Sequence, residues 1–312
     1  MLYLISTCPT ILYLVILKML DGFCLAKRKF LTGSIVSGFL CCMAVFGISS
    51  VIKWESPYIS PILEEFLKAI FILVLVARSK IHFLVETIIY GAAAGGGFSI
   101  AENIIYILYN PDMLVGTTIM RGFGVAVMHM GCTALVSAIF LLMWKSRKPL
   151  SFMALCYLPS MVFHIIHNII EIEPTYKVLS VILLFVAVFV ILFNISDKMV
   201  WRWIDNSINS DVETLSAIRR GEFSTTKVGR YMLRVKEQFQ SDVFFDMLCY
   251  IQIHYELIIE KQSRMLMQQA GFDDKRTDEE QKIHDAKVAE IKSLHHRIGR
   301  TAQTVMAPLV KW

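Results

Sequence analysis

Charge is scarce in this chain. Only 18% of its 312 residues are Asp, Glu, Lys or Arg, where a soluble domain carries about a quarter. The net charge of +5 sits mainly in short loops and the tail, which argues for membrane topology and against a nucleic-acid partner. Paired cysteine spacings are missing too. Cys8, Cys24, Cys41, Cys42, Cys132, Cys156 and Cys249 are odd in number and mostly lie inside apolar runs, so neither a disulfide framework nor a zinc finger is expected. No GxSxG, HExxH, P-loop or GxGxxG fingerprint occurs, and no internal repeat of the kind transporters carry is visible.

Apolar residues are what the chain has in excess. They make up 55% of it, with a mean hydropathy of +0.56, and they concentrate before residue 195. A hydrocarbon core about 30 Å thick needs roughly 20 apolar helical residues. About seven segments meet that length: 2–20, 31–52, 58–77, 82–108, 121–144, 150–171 and 176–195. The expectation is an all-α polytopic membrane helix bundle over residues 1–195, followed by a cytoplasmic helical module over 196–312. The first segment lacks a charged leading region and a small-residue cleavage site, and is expected to be a retained span. Basic residues follow alternate spans: Lys27, Arg28 and Lys29; Arg78 and Lys80; Lys145, Arg147 and Lys148; Lys198 and Arg202. The opposite loops hold only Lys53 and Lys177. The positive-inside rule then puts the N-terminus outside and the C-terminus inside.

Ionisable residues inside spans are costly and functional by default. The third span carries Glu64, Glu65 and Lys68; the fourth Glu102 and Asn103; the fifth His129; the sixth His164, His167 and Asn168. At 1.5 Å per residue, Glu64, Glu65, Glu102, His129 and His164 all lie about 9–12 Å below the outer ends of their helices. Scattered structural polar residues have no reason to share a depth, so this layer reads as one site. Glu64–Lys68, His129–Thr133 and His164–Asn168 are spaced i,i+4, on one helix face, and a Glu64–Lys68 ion pair is expected. The small-residue run 91–97 lets a neighbouring helix come close. His167 is expected to be structural, Asn103 to bond a neighbouring helix, and Arg121 to anchor at the membrane interface.

Carboxylates and imidazoles in one buried layer suit hydrolysis in two ways. A carboxylate can deprotonate water while imidazole and carboxamide donors stabilise an oxyanion. Alternatively Glu64, Glu102, His129 and His164 could ligate zinc with a position left for water. A proton-coupled transporter or channel, a scaffold acting through its tail, and a hydrolase of lipid or isoprenoid substrates are the competing classes.

The ordered set Glu64-Glu65-x-x-Lys68, Phe98-x-x-x-Glu102-Asn103, His129-x-x-x-Thr133 and His164-x-x-x-Asn168 resembles the PrsW family of intramembrane proteases over roughly residues 10–195. Tyr90-Gly-Ala-Ala-Ala-Gly and Lys18-Met-Leu-Asp21 add to the likeness. The family is related to CAAX prenyl endopeptidases and abortive-infection proteases. The resemblance implies an endopeptidase, glutamic-type or metal-assisted, cleaving a membrane-anchored protein near the outer face of a bacterial cytoplasmic membrane. By analogy Glu64 activates water, Glu65 and Lys68 orient the site, His129 assists proton transfer, and His164 with Asn168 binds the oxyanion. Glu102 stands where the CAAX enzymes have histidine, which leaves the metal content open between none and zinc.

In the tail, helices are expected over 211–220 and 242–270. A polar loop over 272–276 should lead to a capping box at Thr277 and a helix with an apolar stripe at Val288, Ile291, Leu294 and Ile298. Trp201 and Trp203 read as interfacial anchors, and His295 and His296 as solvated. A cytoplasmic partner or self-association through 196–312 is the expected use of this part.

Overall fold

The structure is a computed structural model that describes residues 1–52, 56–272, 276–307 and 309–310. Lys53 and residues 273–275 of the expected polar loop lie outside the described residues. The chain divides into two compact units, Met1–Met199 and Val200–Trp312. Helices make up the regular structure, and there is no strand among the described residues.

The first unit contains α1 (Leu2–Met19), α2 (Arg28–Ile52), α3 (Ile59–Ala77), α4 (Leu84–Tyr109), α5 (Val115–Met120), α6 (Ala126–Lys145), α7 (Leu150–Met153) and α8 (Leu158–Ile169). A helix α9, Pro174–Arg219, runs through the division between the units. By length and composition six helices can cross a membrane, namely Leu2–Met19, Arg28–Ile52, Leu84–Tyr109, Val115–Lys145, Ser151–Ile169 and Pro174–Ile204. The remaining expected span, α3, has 19 residues but is not one of them, because Glu64, Glu65 and Lys68 interrupt its apolar character. The expected all-α polytopic bundle is borne out as an architecture.

α4 is the centre of the unit. Apolar or small residues surround it on all sides, the pattern of a helix covered all round, and it packs against α1, α2, α3 and α6. Two glycines show how closely. A Cβ at Gly95 would collide with the His129 backbone carbonyl on α6, and one at Gly97 with the Ile35 carbonyl on α2. Helix backbones in contact gain dispersion energy that larger side chains would forfeit. This same approach carries His129 to α4. At the other end of α4, the Tyr90 hydroxyl accepts from the Lys27 N–H at 2.6 Å. The preceding turn is closed by Asp21, whose carboxylate accepts from the N–H groups of Leu25 and Ala26 and pairs with Lys18.

Three segments differ from the sequence reading. The fifth span begins earlier, at Val115, and contains a π-helical turn at Arg121–Val125. The sixth is broken: α7 passes into a 3-10 turn at Ala154–Tyr157 before α8. Pro159, lacking an N–H and placed in the first turn of α8, favours a fresh start there. The seventh does not stop near 195, because no Gly or Pro occurs between Pro174 and Gly221 to terminate it.

The second unit holds the end of α9, then α10 (Lys227–Val235), α11 (Ser241–Gln269), α12 (Asp278–Arg297) and α13 (Gly299–Met306). Its core includes Met232, Met247, Ile251, Leu294, Ile298 and Met306, with Val288 and Ile291 packed against it. The stripe on α12 thus faces α11. Thr277 and Glu280 form the capping box, and Arg276 and His284 both pair with Glu260 at the mouth of this hairpin.

The glycine contact is directly testable. Gly95→Ala should destabilise the first unit by about 1–3 kcal/mol, the usual cost of overpacking, seen as a lower melting temperature in detergent. Gly47→Ala, where a Cβ meets nothing within 4 Å, should melt no lower than the parent chain, since alanine is the better helix former.

Candidate active site

Four helices contribute to one chain of contacts. α3 supplies Glu64, Glu65 and Lys68, α4 supplies Glu102, α6 supplies His129, and α8 supplies His164. Glu65 and Lys68 are fully buried, and the Lys68 ammonium donates to Glu65 Oε1 at 2.6 Å. The expected partner was Glu64, four residues away. The pair forms instead at i,i+3, because Glu65 lies on the face turned into the bundle while Glu64 keeps some exposure. The same Oε1 accepts from His164 Nδ1 at 2.8 Å, and Glu65 Oε2 is buried without a hydrogen-bond partner among the described residues.

Lys68 Nζ also lies 2.8 Å from His129 Nδ1 and 4.7 Å from the centroid of the Phe98 ring. An ammonium group has only donors, so His129 Nδ1 accepts and its Nε2 carries the hydrogen. That nitrogen lies 3.0 Å from Glu102 Oε2. Glu102 Oε1 is in turn 3.3 Å from Arg121 Nη2, and Arg121 Nε donates to Asn103 Oδ1 at 3.1 Å. The rings of His129 and His164 meet edge to face with centroids 5.1 Å apart.

Exposure is graded across the three carboxylates: 0% for Glu65, 15% for Glu64 and 36% for Glu102. Glu102 and Glu64 therefore keep accessible surface, while Glu65 is a buried anchor. The layer holds three carboxylates against the two permanent cations Lys68 and Arg121. With neutral imidazoles it carries one uncompensated negative charge, which a proton or an added cation would offset.

A divalent ion fits the residues present once His129 gives up its Nε2 hydrogen to admit it. Glu64, His129 and His164 offer ligand atoms that all lie within 4.8 Å of one another, a carboxylate with two imidazoles being a familiar catalytic zinc set. His164 is oriented for it, since the Glu65 contact holds Nδ1 and leaves Nε2, 3.8 Å from Glu64 Oε2, to face the group. Glu102 stands outside that triplet.

Of the residues singled out from the sequence, Glu64, Glu65, Lys68, Glu102, His129 and His164 come together. Asn168 is exposed one turn beyond His164, and no hydrogen bond joins it to the cluster among the described residues. Thr133 Oγ1 bonds back to the His129 carbonyl, a contact within its own helix. Asn103 does reach a neighbouring segment, through Arg121. Arg121 itself was expected at the interface, and its ion pair with Glu102 was missed. The available signal was an otherwise uncompensated carboxylate, Glu102, one helix away from it.

A family model described as PrsW family intramembrane metalloprotease matches residues 12–194, more than half of the chain and every residue of the cluster. No curated protein and no solved structure gives a match. The resemblance carried by the four motifs is borne out: the chain belongs to the PrsW family of intramembrane metalloproteases and is a peptide-bond hydrolase of the membrane.

Proposed function

We propose that this protease hydrolyses a peptide bond of a membrane-anchored protein in the outer half of the bilayer, with Glu64, His129 and His164 holding a zinc ion. The observation that carries this reading is the convergence of those three ligand atoms from three separate helices, with Glu65 behind His164. When bound, such an ion lowers the pKa of water and polarises a carbonyl.

The remaining residues have distinct tasks. Glu102, the most exposed carboxylate, takes the proton of the attacking water at Oε2 and returns it to the leaving amine. Glu65 fixes the His164 ring, and Lys68 offsets the charge of Glu65. Asn168, exposed one turn from His164, offers its carboxamide to the developing oxyanion. The surrounding apolar helices limit water, which strengthens each of these interactions.

One observation favours a second reading, without metal. The Lys68 ammonium at His129 Nδ1 leaves the Nε2 hydrogen directed at Glu102, so that imidazole has no lone pair for an ion. Glu64, near His164 Nε2, would then activate water itself, as in the CAAX-type scheme.

We further propose seven spans with the N-terminus outside, so that α3 crosses the membrane and residues 200–312 are cytoplasmic, in a bacterial cytoplasmic membrane. The distribution of basic residues supports this orientation. The second unit is proposed as a regulatory module that docks a cytoplasmic partner or a second copy.

Zinc content and cleavage of a membrane-anchored reporter separate the two mechanisms. In the zinc reading, the parent chain holds one zinc, Glu64→Gln and His164→Ala lose it, and Glu102→Gln keeps it while losing about 10²–10⁴-fold in rate. An active chain without zinc, inactivated by Glu64→Gln, selects the second reading. Parent-like cleavage by Glu64→Gln and His164→Ala together would refute both. For the topology, protease added to intact spheroplasts should spare residues 200–312 and digest them in inverted vesicles; the reverse pattern rejects the orientation.

A further inference from the structure

Arg121 opens the π-helical turn Arg121–Val125. On an uninterrupted α-helix, Arg121 and His129 would point about 80° apart. The wider π turn advances less per residue, and this takes up the offset, so both side chains meet Glu102 on α4. The guanidinium is fixed along one face of that helix. It stacks 3.9 Å from the centroid of the Tyr106 ring, donates to Asn103 Oδ1 at 3.1 Å and lies 3.3 Å from Glu102 Oε1. Glu102 Oε2 is left to His129.

We propose that Arg121 is a positioning residue that holds Glu102 out of the metal-ligand set and so keeps a coordination position open for water. The proposal rests on the zinc reading given above. Glu102 Oε2 is already 3.0 Å from Nε2 of His129, one of the three proposed ligands. Removing the cation frees Oε1 of a carboxylate that already touches a proposed ligand, and an ion held by that ligand is then the strongest positive charge within its reach. Two glutamates and two histidines would then complete four-coordination. Such sites are closed and structural, whereas catalytic zinc keeps three protein ligands and an open place. Asn103 and Tyr106 act one step further out, by keeping the guanidinium against Glu102.

The test is zinc affinity, measured by chelator competition on the detergent-purified full chain, alongside cleavage of a membrane-anchored reporter. Arg121→Met should bind zinc about tenfold more tightly, the scale on which groups around a metal tune its affinity, while cleaving more slowly. Arg121→Met/Glu102→Gln should return to the parent affinity, and Arg121→Lys should stay near it. Asn103→Leu, which keeps the charge but loosens the guanidinium, should shift affinity the same way and decides the matter if Arg121→Met does not fold, as judged by thermal melting. A parent chain that binds zinc no more weakly than Arg121→Met and Asn103→Leu overturns the proposal. If neither parent nor variants bind zinc, the zinc reading falls and takes this proposal with it.

Discussion

A carboxylate withdrawn from water inside an apolar bundle must be met by donors, and Glu65 is where that requirement is most severe. It is fully buried, and a single oxygen takes both the Lys68 ammonium and His164 Nδ1. Breaking such a buried pair by removing one member typically costs about 3–5 kcal/mol, because the other is left uncompensated. The demand propagates. Lys68, held by Glu65, reaches His129; His129 reaches Glu102; Glu102 reaches Arg121. Each link satisfies one group and fixes the orientation of the next.

On the proposed roles, this ordering separates anchoring from chemistry. Contacts at the Glu65 end lie away from solvent and set ring orientation, whereas Glu64 and Glu102 retain exposure. A residue that must meet water and a peptide cannot also be the one most thoroughly enclosed. The division follows from where α3 faces the bundle, and the packing of α6 against the small residues of α4 brings the two ends within reach of each other.

Much of this was legible in the sequence, for definable reasons. Long apolar runs mark spanning helices because the bilayer leaves few alternatives, and counting helical rise was enough to gather Glu64, Glu102, His129 and His164 into one group. Pairing was harder. Glu64 and Glu65 are both near Lys68 on a helix, and only the direction of the bundle interior distinguishes them. The π turn at Arg121 and the 3-10 turn before α8 were not readable because neither has a strong local code. The continuity of α9 was obscured by a change in composition near residue 195, which marks a change of surroundings without interrupting the backbone. Arg121 illustrates the general difficulty: a basic residue at a span end satisfies the expected interfacial pattern equally well whether or not it turns inward.

The π turn also ties chain length to backbone form. Deleting one residue between 121 and 125 would let the turn revert to an α-helix with the arginine seven residues before the histidine, a spacing that leaves the two only about 20° apart. Relatives one residue shorter here would keep the same facing on an uninterrupted α-helix, so a gap at this turn exchanges one backbone solution for another and leaves the charge layout as it was.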